Sequence, residues 1–125
     1  MIAASLREVH KSYKAIKALD GLDLDVAKGE VLGLIGPSGS GKTSAAKAFV
    51  GLLRPDSGQA PVFGFAMPSR EALFRVGYMA QSDALFEDLD AWGNLSYFAA
   101  LQGMGRNEIA SRGAEIFGYM DLVSD

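Results

Sequence analysis

The chain has no cysteine and only one histidine, His10. Disulfides and thiolate metal centres are therefore excluded, and so is a site built from several imidazoles. A cysteine-free chain also suits a reducing compartment. Long apolar runs are missing too: stretches such as VLGLIG, residues 31–36, fall well short of the roughly 18 to 20 residues that cross a bilayer. The opening MIAASLREVHK has no long apolar segment followed by a small-residue cleavage site, so it reads as part of the fold and not as a secretory signal. Basic charge is in the minority, with 12 Lys and Arg against 15 Asp and Glu and a net charge of −3. Such a balance gives no general attraction for phosphate backbones or anionic lipid, so direct nucleic-acid binding is not expected and any anion must be held by a local site.

What is present is an ordinary globular composition, 49% hydrophobic and 22% charged over 125 residues, enough for one domain with a core. Leu22, Leu24 and Val26 alternate with Asp23, Asp25 and Ala27, the period of a strand with one buried face. Residues 31–35 are nearly all apolar, which predicts a strand covered on both faces of a parallel sheet. Residues 42–53 predict a helix with Ala45, Phe49 and Leu52 on one face, stopped by Arg54-Pro55. PDSG at residues 55–58 has turn chemistry, followed by a short strand-like return to Gly64. Residues 75–80, RVGYMA, read as another strand. Helices are predicted over residues 91–101, with Trp92, Leu95, Phe98 and Ala99 at helical spacing, and over residues 107–120, where Gly113 and Gly118 weaken the pattern. Strands alternating with helices give an α/β fold class. His10 reads as a surface or edge residue, and Trp92, Phe98 and Phe117 as packing groups.

GPSGSGKT, residues 36–43, matches G-x-x-x-x-G-K-[ST] at Gly36, Gly41, Lys42 and Thr43. Average residue usage would produce these four fixed positions by chance in a chain of this length on the order of 1% of the time, and the flanking strand and helix predictions supply the context the motif demands. Small residues allow the main chain to wrap a phosphate, with successive N–H groups forming a nest that runs into a helix N-terminus. Gly36, Pro37, Ser38, Gly39, Ser40, Gly41, Lys42, Thr43 and Ser44 are accordingly the candidate nucleotide-binding residues. Lys42 carries a full charge to the β- and γ-phosphates, against about half a charge from the helix terminus. The Thr43 hydroxyl is a candidate oxygen ligand for Mg²⁺. Many unrelated enzymes use such a loop, so the loop alone does not choose among them.

Taken together, Tyr13, GPSGSGKT, LRPDSG, YMAQ and the DAWGNL segment closely resemble the N-terminal part of the ATP-binding cassette of ABC transporters, over about residues 6–123. The resemblance implies a P-loop NTPase fold with an ABC-type ATPase core, ATP and Mg²⁺ as cofactors, and Tyr13 stacking on adenine. It implies that Gln81 reaches the metal or the attacking water, making Lys42 and Gln81 the candidate catalytic residues and Thr43 and Gln81 the candidate metal ligands. Residues from Gln81 to about Phe98 would face a membrane partner. The chain departs from the family at Asp90 and Gly93, where a threonine and a glutamate are common, which bears on partner contacts more than on chemistry.

Several family elements do not occur in the sequence. There is no LSGGQ-like signature, no apolar strand ending in Asp-Glu after Gln81, and no histidine after the loop. Phosphoryl transfer needs charge stabilised on all sides of the γ-phosphate, and only one side is supplied here. The chain, residues 1–125, therefore reads as a partial nucleotide-binding domain, expected to bind Mg-ATP without efficient turnover. The expected partners are nucleotide, a transmembrane subunit and a second cassette, with the protein on the cytoplasmic face of a membrane. Self-association through unpaired strand edges is expected. The rival readings are a non-transport ABC-type ATPase of translation or DNA repair, a non-catalytic nucleotide-binding fragment and, least favoured, a small-molecule kinase.

Overall fold

The computed structural model describes residues 1–37, 39–82 and 84–121, and these form two compact units divided after Tyr78. The first unit is built on a long antiparallel hairpin, β1 (Ile2–Tyr13) against β2 (Ile16–Ala27). Leu22, Leu24 and Val26 are half-buried on β2 while Asp23 and Asp25 are exposed, as the alternation in the sequence requires. On β1 the buried pair Leu6 and Val9 is three residues apart, an odd spacing that a regular strand would send to opposite faces. A register shift between them, with Glu8 at φ 45°, turns both inward.

The strand order is β2-β1-β4-β5, with β4 (Pro61–Val62) and β5 (Phe65–Ala66) forming a small hairpin and β3 (Ser57–Gln59) also pairing with β1. All of these pairings are antiparallel. Helix α1 (Lys42–Phe49) buries Ala45 and Ala48 against this sheet, and Leu6, Val9, Leu19, Leu53 and Ala60 complete the core. Alanines on the contact face let the helix axis approach the strands closely. Leu6 and Val9 are fully buried, and each contributes about 1.5–3 kcal/mol by leaving water. The PDSG turn is tied to β1: the Asp56 N–H donates to the His10 carbonyl at 2.8 Å, and the Asp56 carboxylate accepts the Ser12 N–H at 2.8 Å. A single turn, α2 (Arg70–Leu73), follows, capped by the Ser69 hydroxyl.

Three sequence expectations are corrected. Residues 31–35 and 75–80 do not form strands. A parallel strand is stable only with neighbours to pair and cover it, and the described strands pair only antiparallel among themselves. Val31 and Ile35 accordingly stand 98% and 99% exposed. Helix α1 ends at Phe49 and not Leu53, because a looser turn through Val50 and Gly51 takes over. Leu52, expected on its buried face, is exposed.

In the second unit α3 (Ala91–Leu101) and α4 (Arg106–Tyr119) follow the predicted helices within a residue. Trp92 of α3 meets Phe117 of α4 edge-on at 5.5 Å, and Ile109 is buried. Trp92 and Phe117 thus pack inside this unit, as the sequence suggested. His10 lies exposed on β1 with Nδ1 3.4 Å from Asp20, a surface position as expected, though β1 is paired on both sides there.

Candidate phosphate-binding site

The loop that carries the GPSGSGKT motif enters α1 through Gly41, whose φ of 93° is left-handed. Glycine is required there twice over: a Cβ would stand 2.6 Å from the Ala18 carbonyl oxygen and 3.2 Å from Leu19 Cδ2. The Gly41 carbonyl accepts the first helical bond from Ala45 N–H at 2.8 Å, and no side chain caps the helix. The first-turn N–H groups therefore remain available, and no acidic residue competes for them in that turn. This chemistry fits a phosphate group.

Lys42 is folded back over the loop. Its ammonium donates to the Gly36 carbonyl, to the Pro37 carbonyl at 2.9 Å and to the Ser40 hydroxyl at 3.3 Å. The loop thus encloses a cation with its own carbonyls, and an anion placed there can draw the ammonium away from them. Ser40 N–H donates to the Pro37 carbonyl at 3.2 Å, closing the turn. Thr43 is exposed and Ser44 half-buried on the first turn of α1. Ser38 lies outside the described residues. An open cleft of about 400 Å³ is lined by Leu19, Leu22 and Leu24 of β2, by Leu34 and Ile35, and by Ser40, Gly41 and Lys42 of the loop.

Tyr13 ends β1 opposite Ile16, 52% exposed, with the Lys11 ammonium 5.3 Å from its ring centroid. Gln81 is exposed and belongs to the second unit. Within the first unit the structure brings together Gly36, Pro37, Ser40, Gly41 and Lys42. Asp90, singled out as a departure from the family, caps α3 by accepting the Gly93 N–H at 2.7 Å. Asn94, which sequence reasoning passed over, is buried and makes four hydrogen bonds to the turn before α3. Its place four residues after a capping aspartate was the available signal.

The model of the family described as "ABC transporter" matches residues 19–124. The probable multidrug ABC transporter ATP-binding protein YbhF of Escherichia coli (strain K12) is 38% identical over 123 residues, 94% of this chain and 21% of that protein. The daunorubicin resistance ATP-binding protein DrrA3 of Streptomyces coeruleorubidus is 40% identical over 124 residues, 97% of this chain and 39% of that protein. Among solved structures, an ATP-binding subunit of an ABC transporter superposes with a TM-score of 0.84 at 23% identity, over 96% of this chain and 51% of that one. The dimeric bacterial ABC transporter cassette MJ0796 gives a TM-score of 0.76 at 25% identity, over 90% of this chain and 54% of that one. The chain thus spans only 21% and 39% of the length of these two curated relatives.

Proposed function

This chain belongs to the ABC transporter family of ATP-binding proteins, and from that membership we propose that it binds Mg-ATP as the N-terminal part of a cassette whose intact form powers transport by a partner membrane subunit. The observation that carries the reading is the loop of residues 36–43: a left-handed glycine delivers it into an uncapped helix, with Lys42 turned in over its carbonyls. Gly36 to Ser44 hold the phosphates, Gly41 by allowing the close turn and Lys42 by its charge. Thr43 and Gln81 are the oxygen ligands proposed for Mg²⁺, which when bound neutralises phosphate charge. Tyr13 stacks on adenine, a contact worth roughly 1–3 kcal/mol.

Lys42 and Gln81 are the residues proposed to act in hydrolysis, Lys42 by stabilising charge on the γ-phosphate and Gln81 by positioning water. They act on one side of the phosphate only, so turnover by residues 1–125 alone is expected to be slow. A second cassette is proposed to supply the opposite side, as the dimeric neighbour supports. Association with a membrane subunit would hold the protein at the cytoplasmic face. No described helix is long and apolar enough to cross a membrane. The exposed residues 31–35 favour self-association of this chain in isolation.

The test is a thermal-shift titration. Mg-ATP at 100 times its dissociation constant stabilises the folded chain by roughly 2.7 kcal/mol, raising the melting midpoint by several degrees. The shift should vanish in Lys42→Ala. No shift in well-folded protein, or an undiminished one in Lys42→Ala, would sink the nucleotide assignment.

A further inference from the structure

Arg106 belongs to the side of α4 that meets α3. Arg106, Ile109, Ala110 and Gly113 recur at helical spacing, so they share one face. Gly113 on that face lies against the Trp92 indole of α3, and Ile109 is buried. Arg106 therefore puts a cation at the end of an apolar seam. The α3 sequence, AWGNLSYFAAL, has no charged residue to meet it. Among the described residues no carboxylate pairs with the Arg106 guanidinium.

A groove of about 500 Å³ opens at this seam, within the range of small-molecule sites. It is lined by Trp92, Ser96 and Ala100 of α3 and by Arg106, Ile109 and Ala110 of α4. Met104, in the connection, completes the lining, and its N–H donates to the Ala99 carbonyl at 3.2 Å. The α3 residues recur every four positions, so from Trp92 to Ala100 they form a row roughly 12 Å long. Trp92 marks the apolar end, fixed by Gly113 beside it and by Phe117 edge-on at 5.5 Å. Arg106 comes two turns before Gly113 on α4, about 10 Å from that end.

An apolar wall set in advance, with a cation at its far end, favours an amphiphilic anion. Burial of the tail and pairing of the head reward the same pose. A cationic head is repelled, and an uncharged one leaves Arg106 without a partner. We infer that the α3–α4 groove binds a small amphiphilic carboxylate, its chain of about ten carbons lying along α3 toward Trp92 and its head on Arg106. The groove takes no part in the phosphate-loop reading, and either can fail without the other.

The probe is sodium decanoate, titrated into the full chain below its micelle-forming concentration and read through the emission of Trp92, the single tryptophan. Its controls are octanoate and decyltrimethylammonium. Decanoate should shift the emission saturably to the blue and bind about tenfold or more tighter than either control, each buried methylene being worth about fourfold. Arg106→Gln should weaken decanoate by about tenfold and erase its preference over the ammonium twin. Arg112→Gln removes the same charge from an exposed site of α4 and should alter binding less than about twofold. Ala100→Phe, at an exposed position of the lining, fills the groove and should block decanoate with no change in charge. Far-ultraviolet circular dichroism establishes that each variant is folded; should Ala100→Phe fail this, Ala110→Leu takes its place.

Equal binding of decanoate and its ammonium twin, octanoate binding as tightly as decanoate, or equal losses in Arg106→Gln and Arg112→Gln overturns the proposal. Undiminished binding in the folded groove-filling variant does the same. So does a wild-type dimer in sedimentation that Ala100→Phe dissociates, since a second copy would then be the occupant.

Discussion

The indole of Trp92 lies against Gly113, so that a Cβ on the glycine would stand 2.6 Å from Cζ3 and 2.7 Å from Cη2 of the ring. Gly113→Ala sets two effects against each other. Alanine in a helix interior gains about 1 kcal/mol over glycine, while forcing a methyl into a filled core costs about 1–3 kcal/mol. The obstacle is a rigid ring with Phe117 packed on it, not the yielding end of a flexible side chain, so the cost should win. Gly113→Ala is expected to lower the urea midpoint, and the loss should disappear when Trp92→Leu opens the space. A raised midpoint in Gly113→Ala alone would show that the helix term dominates.

The same glycine illustrates where sequence reasoning stopped. Read along the chain, Gly113 only weakened a helix; its partner, 21 positions away in sequence, gives it a purpose. Local patterns were legible: the alternation around Leu22 to Val26, the extents of α3 and α4 and the phosphate-loop motif all act over a few residues. Non-local terms were not. Residues 31–35 have the composition of a buried strand, but pairing depends on neighbours that composition cannot supply. Leu6 and Val9 share a face only because of the irregularity at Glu8. At the site, the motif named Lys42 but not the Gly36 and Pro37 carbonyls it bonds to. Asn94 was hidden because its role is to hold other residues' backbone.

Gly39 and Gly41 separate backbone strain from steric collision in the loop. Both have positive φ, 82° and 93°, but a Cβ at Gly39 meets nothing within 4 Å while one at Gly41 runs into the Ala18 carbonyl. Gly39→Ala should cost only the left-handed conformation, about 1–2 kcal/mol. Gly41→Ala adds a clash with the β2 backbone, for about 3 kcal/mol or more in total. Urea denaturation of both variants checks the order. Equal losses would mean that the loop moves freely off β2, and that the contact with Ala18 does not position it.

Asp56 should make stability depend on acid. The Ser12 backbone N–H holds its carboxyl below the ordinary value of 3.8, helped by the Lys11 ammonium and opposed by desolvation. A carboxylate whose folded pKa is depressed stabilises the fold above its unfolded pKa and loses that contribution as pH falls through the folded value. The stabilisation from Asp56 is therefore complete near neutrality, and disappears as pH drops from about 5 through the unfolded value and then below it. Glu71, lowered chiefly by its own backbone N–H and by the Ser69 hydroxyl, contributes with the same sign. Asp56→Asn keeps an oxygen that can accept from Ser12 but cannot titrate or pair with Lys11. Its urea midpoint should fall below wild type at pH 7, and the gap should close toward pH 2.5. The measurement is the midpoint of both proteins across that range. Parallel curves would mean that the clamp between β1 and the PDSG turn does not depend on the charge of Asp56.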